Sequence, residues 1–172
     1  MSDGTTTETD IINEVTFDGQ SPMSVFTDGY NTSEYDGVYR GYVNGYYNGE
    51  MIDAKSLVYV GVKGDSDLNG IVEISDASLT LKYYAYRMAM LDISFTKDPT
   101  SDYETLAYFL SDVDTESKQG KDSNDGIIDI SDATNILKYY ANDVAMLNPQ
   151  WEEIIPSLVD IPNSLWAYKA GK

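Results

Sequence analysis

The sequence predicts an α+β protein in which a small antiparallel β unit is followed by an all-α unit built from two loop–helix repeats. Three observations lead to this prediction. The first third of the chain is rich in β-branched and aromatic residues separated by Asp-Gly and Asn-Gly pairs. An acidic, glycine-containing segment then occurs twice, and apolar residues at helical spacing follow each copy. At 172 residues, of which 42% are hydrophobic, the chain suits one or two small domains.

The composition excludes several classes of function. The chain has 29 acidic and 11 basic residues, and its net charge of −18 repels phosphate backbones and anionic lipids, so we expect no nucleic-acid or membrane partner. It has no cysteine and no histidine, which excludes disulfides, zinc sites of the Cys/His kind and histidine-dependent triads. Metal binding through oxygen ligands remains open. The first residues have no basic stretch followed by an apolar run, so the protein is either intracellular or a piece of a longer exported chain.

The β unit is expected over residues 11–62, after a polar linker at residues 1–10. Its strand candidates are Glu14–Phe17, Val38–Val43 and Ser56–Val62, and its turn candidates are Asp18-Gly19, Asp28-Gly29, Asn44-Gly45 and Asn48-Gly49. So short a unit can bury only a thin core, so we expect it to lean on the residues that follow.

The repeat defines the second unit, residues 63–172. Residues 65–77 return in part as 124–133, Leu81–Ala85 is identical to Leu137–Ala141, and Ala89–Leu91 is identical to Ala145–Leu147. We therefore predict duplicated units at 65–91 and 112–147. One helical stripe in each is expected to be buried against the other, namely Ala77, Leu81, Tyr84, Met88 and Leu91 in the first and Ala133, Leu137, Tyr140, Val144 and Leu147 in the second. A third, shorter helix is predicted over Tyr103–Leu110, and an irregular tail with Trp151 and Trp166 is expected to cover the helix pair.

The first acidic loop has the pattern of a calcium site. A calcium loop of the EF-hand kind places oxygen ligands at positions 1, 3, 5, 7, 9 and 12, with glycine at position 6 for a sharp turn. Counting from residue 65, the ligands are Asp65, Asp67, Asn69, the Ile71 carbonyl, Glu73 and Asp76, with Gly70 at the turn. Aspartate replaces the usual glutamate at position 12, where it can also cap the helix that begins there.

The second loop fits the pattern only with an insertion, residues 115–123. Its ligands are then Asp112, Asp114, Asp125, the Ile127 carbonyl, Asp129 and Asp132. Counting without the insertion places Lys121 at position 1, which a cation would not accept. A competing interpretation uses Asp122 as an early ligand, but it breaks the repeat. We expect two calcium ions that contribute to folding, because acidic residues gathered in one turn repel each other without a cation.

The segment that enters the first loop separates the protein from calcium sensors. Residues 57–64 alternate like a strand and end in glycine, so the entering helix of an EF-hand is missing there. The helix-pair opening by which a sensor exposes its groove is therefore not expected.

With its two calcium loops, a helix after each and no entering helix in the first copy, the sequence resembles the dockerin family over about residues 63–170. The long second loop, the stretch Val58–Asp67 and the tail Pro162–Trp166 are similar to ruminococcal dockerins with an adjoining β-rich X module, of which residues 11–62 would be a reduced or partial example. The resemblance implies an extracellular, non-enzymatic docking module that binds a cohesin of a scaffoldin or cell-surface anchoring protein. Its parent protein would belong to a cellulosome, which degrades cellulose and other plant polysaccharides.

The resemblance also implies the residues that contact cohesin. They lie at loop positions 10 and 11 and farther along each helix, which here are Ile74, Ser75, Lys82, Tyr83, Ile130, Ser131, Lys138 and Tyr139. Lys82 and Tyr83 lie off the predicted buried stripe, which agrees with this role. The competing interpretation is that Ile74 and Ile130 pack between the two loops. Because the copies match, a partner could bind in two orientations, but the insertion and the β unit lead us to expect one.

Three other functions compete with docking. The tyrosines of the β unit, at positions 30, 35, 39, 42, 46, 47 and 59, could stack on sugar rings, so the alternative is a carbohydrate-binding module. Strand tyrosines more often form the core and rim of a small sheet. A glycosidase is disfavoured because the clustered aspartates are used for calcium and no carboxylate pair stands out. A free calcium buffer is disfavoured by the missing helix and the added β unit.

Overall fold

The computed structural model describes residues 16–17, 31–32, 35–114, 126–155 and 165–169. These residues form an antiparallel sheet and a group of helices, which confirms the α+β class. In chain order the elements are β1 (Thr16–Phe17), β2 (Asn31–Thr32), β3 (Tyr39–Tyr47), β4 (Glu50–Val62), α1 (Ile74–Met88), α2 (Asp102–Ser111), α3 (Ile130–Val144), α4 (Trp151–Ile154) and β5 (Leu165–Lys169). Among the described residues, no helix has the length and apolar character needed to cross a membrane. The predicted linker, residues 1–10, lies outside the described residues.

A long hairpin forms the centre of the sheet. Strands β3 and β4 pair antiparallel from Tyr39 opposite Val60 to Tyr47 opposite Glu50. The Asn48-Gly49 turn joins them with positive φ at both residues, as a two-residue hairpin turn requires. Asn44-Gly45, which we predicted as another turn, is instead part of β3 and marks a shift in register. A glycine inside a strand commonly marks such an irregularity.

The tail contributes a strand to the same sheet. Strand β5 pairs antiparallel with β4, from Val58 opposite Lys169 to Val62 opposite Leu165, and the strand order is β1-β3-β4-β5, with β2 also on β3. The prediction of an irregular tail is therefore wrong for residues 165–169. An open edge of β4 offers unpaired backbone groups, and an extended tail satisfies them. The part of the tail near Trp151 does pack on the helices, because Trp151 is buried and stacks on Tyr139 at 4.5 Å.

The two repeated helices, α1 and α3, are each 15 residues long and contact each other. Both begin directly after an acidic loop residue and both end in the same way. Met90 and Met146 have φ of 57° and 58°, and the next residue in each copy donates its backbone N–H five positions back, to Tyr86 and Asn142. This is the Schellman arrangement that closes a helix C-terminus. The predicted third helix is confirmed as α2, which Ser101 caps.

Two core clusters join the sheet to the helices. The first brings together residues of the sheet unit, the first loop and α2, which are Val38, Tyr59, Leu68, Leu106, Ala107 and Leu110. The second lies between the repeats and the tail and consists of Val72, Ala77, Val113, Ile136, Trp151 and Ile155. The β unit therefore does lean on the residues that follow it, as its small size led us to expect.

The buried face of each helix differs from the stripe that we predicted. In α1 the buried residues are Asp76, Ala77, Thr80 and Tyr83, whereas Leu81 and its counterpart Leu137 are each 45% exposed. The aspartate at the third helical position turns inward to the loop, and residues four and seven positions later share its face. This constraint rotates the apolar stripe outward. Met88, Leu91, Val144 and Leu147 are consequently exposed, and Tyr84 and Tyr140 are half-buried.

Two candidate metal centres and an exposed helical face

The first candidate centre consists of three carboxylates of the first loop. Oxygen atoms of Asp65, Asp67 and Asp76 all lie within 4.8 Å of one another, and Asp65 and Asp76 are fully buried. Strand β4 ends at Val62, immediately before this loop, so a strand enters where an EF-hand has a helix. Gly70 adopts φ of +91°, which gives the loop its sharp turn.

Backbone amides hold these carboxylates in place. Asp65 accepts hydrogen bonds from the N–H of Gly70 at 2.7 Å and of Asn69 at 3.0 Å. Asp76 accepts from the N–H of Ser66 and of Glu73, both at 2.8 Å. Amides of the loop therefore orient the two carboxylates, and the lone pairs that accept no hydrogen bond can coordinate a cation.

The other predicted ligands of this loop lie at its exposed side. Asn69 is exposed, and its side-chain oxygen accepts the N–H of Ile71 at 2.9 Å. Glu73 lies outside the group of three carboxylates and accepts hydrogen bonds from the Asn69 amide at 3.4 Å and from the Ser75 hydroxyl at 3.0 Å. The structure thus brings together positions 1, 3 and 12 of the predicted set, with Glu73 turned to neighbouring polar side chains.

The second candidate centre has the same construction and is more deeply buried. Oxygen atoms of Asp112, Asp114 and Asp132 lie within 4.8 Å of one another, and all three residues are buried. These are the residues that the alignment with an insertion predicts. Helix α2 ends at Ser111, so here a helix does enter the loop. Lys121, Asp122 and Asp125 and the insertion 115–123 lie outside the described residues.

The hydrogen bonds that orient Asp76 and Asp132 correspond between the two centres, as do those that Gly70 and Gly126 donate. Asp132 accepts the N–H of Val113 at 2.7 Å and of Asp129 at 2.8 Å, as Asp76 does from Ser66 and Glu73. Gly126, with φ of +85°, donates to Asp112 at 2.8 Å, as Gly70 does to Asp65. Asp129 itself accepts the N–H of Ser131 at 2.6 Å. The duplication therefore extends from the sequence to the orientation of the carboxylates.

Burial raises the pKa of aspartates in both centres. Desolvation raises the pKa of Asp65 to about 7, and the negative charges of Asp76 and Asp67 add to it, while amide hydrogen bonds oppose the rise. Desolvation likewise raises the pKa of Asp76 to about 6 and that of Asp132 to about 7. Buried carboxylates that face one another favour binding of a cation, because the ion offsets both their desolvation and their mutual repulsion. Clustered oxygen ligands without nitrogen or sulfur suit a hard divalent ion.

An exposed apolar groove runs between α1 and α3. It has a volume of about 320 Å³ and is lined by Ile74, Ala77, Ser78, Leu81, Ile130, Ala133, Thr134 and Leu137, four residues from each helix at corresponding positions. Ile74 and Ile130 are each 57% exposed. This contradicts the interpretation in which these two isoleucines are packed away between the loops.

The comparisons with known proteins add no relative. No protein-family model matches the chain, and no curated protein matches it.

The predicted partner-binding residues divide into two groups. Lys82 and Lys138 are exposed, and Ser75 and Ser131 are half-buried beside the groove residues Ile74 and Ile130.

The two tyrosines belong to the interior. Tyr83 is only 7% exposed and stacks on Phe95 with a centroid distance of 4.3 Å, and Tyr139 stacks on Trp151. The prediction that Tyr83 lies off the buried face is wrong, because Asp76 sets that face and Tyr83 follows it by seven positions. Tyr139 is half-buried in the corresponding contact.

The tyrosines of the β unit are divided between core and surface. Tyr59 is buried and its hydroxyl donates to Asp102 at 3.1 Å, and Tyr35 and Tyr59 both contact the ring of Tyr103. Tyr42 is exposed, and Tyr39, Tyr46 and Tyr47 are half-buried. Tyr30 lies outside the described residues.

Two residues that support the loops were not predicted from the sequence. Gly37 contacts the first loop, and the Tyr108 hydroxyl lies between the Gly126 carbonyl, at 3.1 Å, and the Ile128 N–H, at 3.3 Å. Asp36-Gly37 is a turn signal that could have marked the first. No local sequence pattern indicates the contact of Tyr108, because its partners Gly126 and Ile128 lie 18 and 20 residues away.

Proposed function

We propose that the protein is a calcium-stabilised docking module that binds a cohesin. The observation that carries the proposal is the pair of three-carboxylate clusters, each completed by the aspartate at the third position of a repeated helix. In this proposal Asp65, Asp67 and Asp76 hold one calcium ion, and Asn69, the Ile71 carbonyl and Glu73 complete its shell. Asp112, Asp114 and Asp132 hold the second, together with Asp125, the Ile127 carbonyl and Asp129.

Calcium acts as a structural element in this proposal. Each ion neutralises carboxylates whose pKa burial has raised, and it ties the loop to the start of α1 or α3. A strand enters the first loop, so ion binding is not expected to swing two helices apart as in a sensor. The ions instead fix the positions of the two helices that present the groove.

The groove between α1 and α3 supports a protein partner. Exposed apolar side chains gathered on one face are typical of protein–protein interaction sites. The same residue types face solvent in both helices, with Ile74 and Leu81 matched by Ile130 and Leu137. Together with the resemblance to dockerins, this supports a cohesin of a scaffoldin or cell-surface anchoring protein as the partner, and an extracellular location as part of a cellulosome. The proposed contacts are Ile74, Ser75, Lys82, Ile130, Ser131 and Lys138.

Carbohydrate binding by the β unit has weaker support. Tyr35 and Tyr59 are used in the contact with Tyr103, which leaves Tyr42 as the exposed ring among the described tyrosines of the β unit. We likewise propose that the module has no enzymatic activity. Affinity electrophoresis in cellulose and xylan gels tests the carbohydrate alternative, since retardation of the protein would favour it.

The docking proposal is tested by calorimetric titration against a panel of cohesins, in calcium and in excess chelator. We expect binding to at least one cohesin in calcium and its loss in chelator. The double variant I74D/I130D should abolish binding in calcium. The matched control is M51D, which places the same charge on an exposed apolar residue of β4, away from the groove, and should bind normally. Unaltered binding by I74D/I130D would contradict the proposed surface.

A further inference from the structure

A turn of the β unit lies directly against the first acidic loop. The backbone N–H of Gly37 donates to the Leu68 carbonyl at 2.9 Å, and Gly37 is buried. A Cβ atom at Gly37 would lie 2.1 Å from the backbone nitrogen of Gly70 and 2.7 Å from the Asp65 carboxylate. Because Gly70 donates that same N–H to Asp65, the turn covers the hydrogen bond that orients a predicted ligand. No side chain fits between the two backbones.

The core fixes both sides of this contact. Val38, next to Gly37, and Leu68, within the loop, are both fully buried in the same cluster. Leu68 adopts φ of 63°, a left-handed conformation that a residue with a branched side chain takes only when its surroundings enforce it. The surroundings here are the turn and the cluster beneath it. The conformation of the first loop therefore depends on residues that precede the repeat.

The second loop has a different support. Its glycine, Gly126, corresponds to Gly70, and the hydroxyl of Tyr108 in α2 donates to the Gly126 carbonyl and accepts the Ile128 N–H. Tyr108 itself is half-buried beside Tyr83 and Phe95. The two loops thus share their carboxylate geometry but are held from outside by unrelated elements, a sheet turn in one case and a helix side chain in the other.

We infer that Gly37 is a positioning residue of the first cation site and that Tyr108 has this role at the second. The inference rests on the proposed calcium function. The two loops are linked by a 2.8 Å hydrogen bond from the Ser111 hydroxyl to the Ser66 hydroxyl. The inference adds that each outer support nevertheless acts chiefly on its own loop, so the β unit changes the calcium affinity of the first site more than that of the second. Residues that orient metal ligands typically change metal affinity by about 10–100-fold when altered.

The test is calorimetric titration with calcium alone, on the full chain, in two backgrounds. The variant D132N reports the first loop and D76N reports the second. Adding G37A should weaken calcium binding by about tenfold or more in the D132N background and by less than about twofold in the D76N background. Adding Y108F should give the opposite pattern. A merely destabilised fold would lower affinity in both backgrounds, so the selectivity is the decisive readout.

A matched control and a milder variant complete the design. G49A makes the same substitution in the same β unit, at a residue with φ of +81° and open space around its Cβ position, and should spare both sites. If circular dichroism shows that G37A is unfolded, V38A loosens the turn by truncation and should give a smaller loss confined to the first loop. Equal effects on both loops, or none, would overturn the inference while calcium binding stands. Absence of calcium binding by the unaltered protein would overturn the proposed function and the inference with it.

Discussion

Asp76 accepts a 2.8 Å hydrogen bond from the backbone N–H of Ser66, so the third residue of α1 closes the loop that precedes the helix. Asp132 closes the second loop in the same way. In each repeat, one aspartate therefore closes the loop, caps the helix that follows and is a candidate metal ligand. The stability of loop and helix should consequently change together when the ion is removed.

Removal of calcium should lower the melting temperature. A ligand at 100 times its dissociation constant stabilises the folded state by about 2.7 kcal/mol per site. For a chain of this size, that corresponds to a shift of roughly 5–10 °C per site. We expect chelation to loosen or unfold residues 63–147. The measurement is a thermal melt in calcium and in excess chelator, with D76N/D132N as a control that should no longer respond. Identical melts for the unaltered protein would contradict the prediction.

The calcium-free protein should lose stability as the pH rises. The carboxyl groups of Asp65 and Asp132 have a pKa of about 7 in the folded state, raised from 3.8 chiefly by burial. Between those values the folded state binds more protons than the unfolded state, so the free energy of unfolding falls with increasing pH.

With calcium, the pH dependence should take the opposite direction, because the ion requires deprotonated carboxylates and binds more tightly as pH rises. Urea unfolding at pH 5 and pH 8, with calcium and with chelator, measures both trends. D65N/D132N should flatten the calcium-free slope. A calcium-free protein that becomes more stable from pH 5 to pH 8 would contradict the assignment of these groups.

Tyr83 should affect stability rather than partner contact. It is buried and stacked on Phe95, so Y83A should lower the free energy of unfolding by about 3–5 kcal/mol, the usual cost of truncating a buried aromatic residue. Tyr86 lies one turn farther along the same helix and is exposed, so Y86A should cost about 0.5 kcal/mol or less. Urea unfolding in calcium measures both. Equal losses would contradict the burial of Tyr83.

For the proposed cohesin partner, we expect one dominant binding orientation. The exposed residues of α1 and α3 correspond closely, but the supports of the two loops differ, and residues 115–123 are present in one copy only. Charged replacements of Ile74 and Ser75 should therefore reduce cohesin affinity by a different factor from the same replacements of Ile130 and Ser131. Calorimetry on the two pairs and on the fourfold variant decides the point. If either pair alone is tolerated and only the combination fails, the partner uses both orientations.

The sequence predicted what depends on local spacing. The cluster of carboxylates at 65, 67 and 76 was predicted because a loop of fixed length brings its own acidic side chains together. The Asn48-Gly49 turn was predicted because its conformation favours those residues. The helices were also found from apolar spacing, although the face that they bury was not. The buried face is set by the inward direction of the Asp76 side chain, and the spacing of apolar residues does not reveal that direction.

What the sequence did not predict depends on contacts between distant segments. Strand β5 pairs with β4 although about a hundred residues separate them. Trp166 and Tyr168 favour a strand, but a segment of five residues does not indicate which strand it pairs with. Gly37 and Tyr108 reach loops that lie 31 and 18 residues onward, measured to the Leu68 and Gly126 carbonyls that they contact. No periodic pattern marks such contacts, which arise only once the core has assembled.

The C-terminal ends of α1 and α3 also determine where the described residues are most open to oxidation. Met90 and Met146 terminate α1 and α3 with side chains that are 95% and 93% exposed. A thioether in that position is open to peroxide, which converts it to a polar sulfoxide. Among the methionines that the structure describes, oxidative damage would therefore begin at these two sulfur atoms and alter the polarity of the surface beyond each helix. Leu106 and Ile136 are fully buried and would keep their packing.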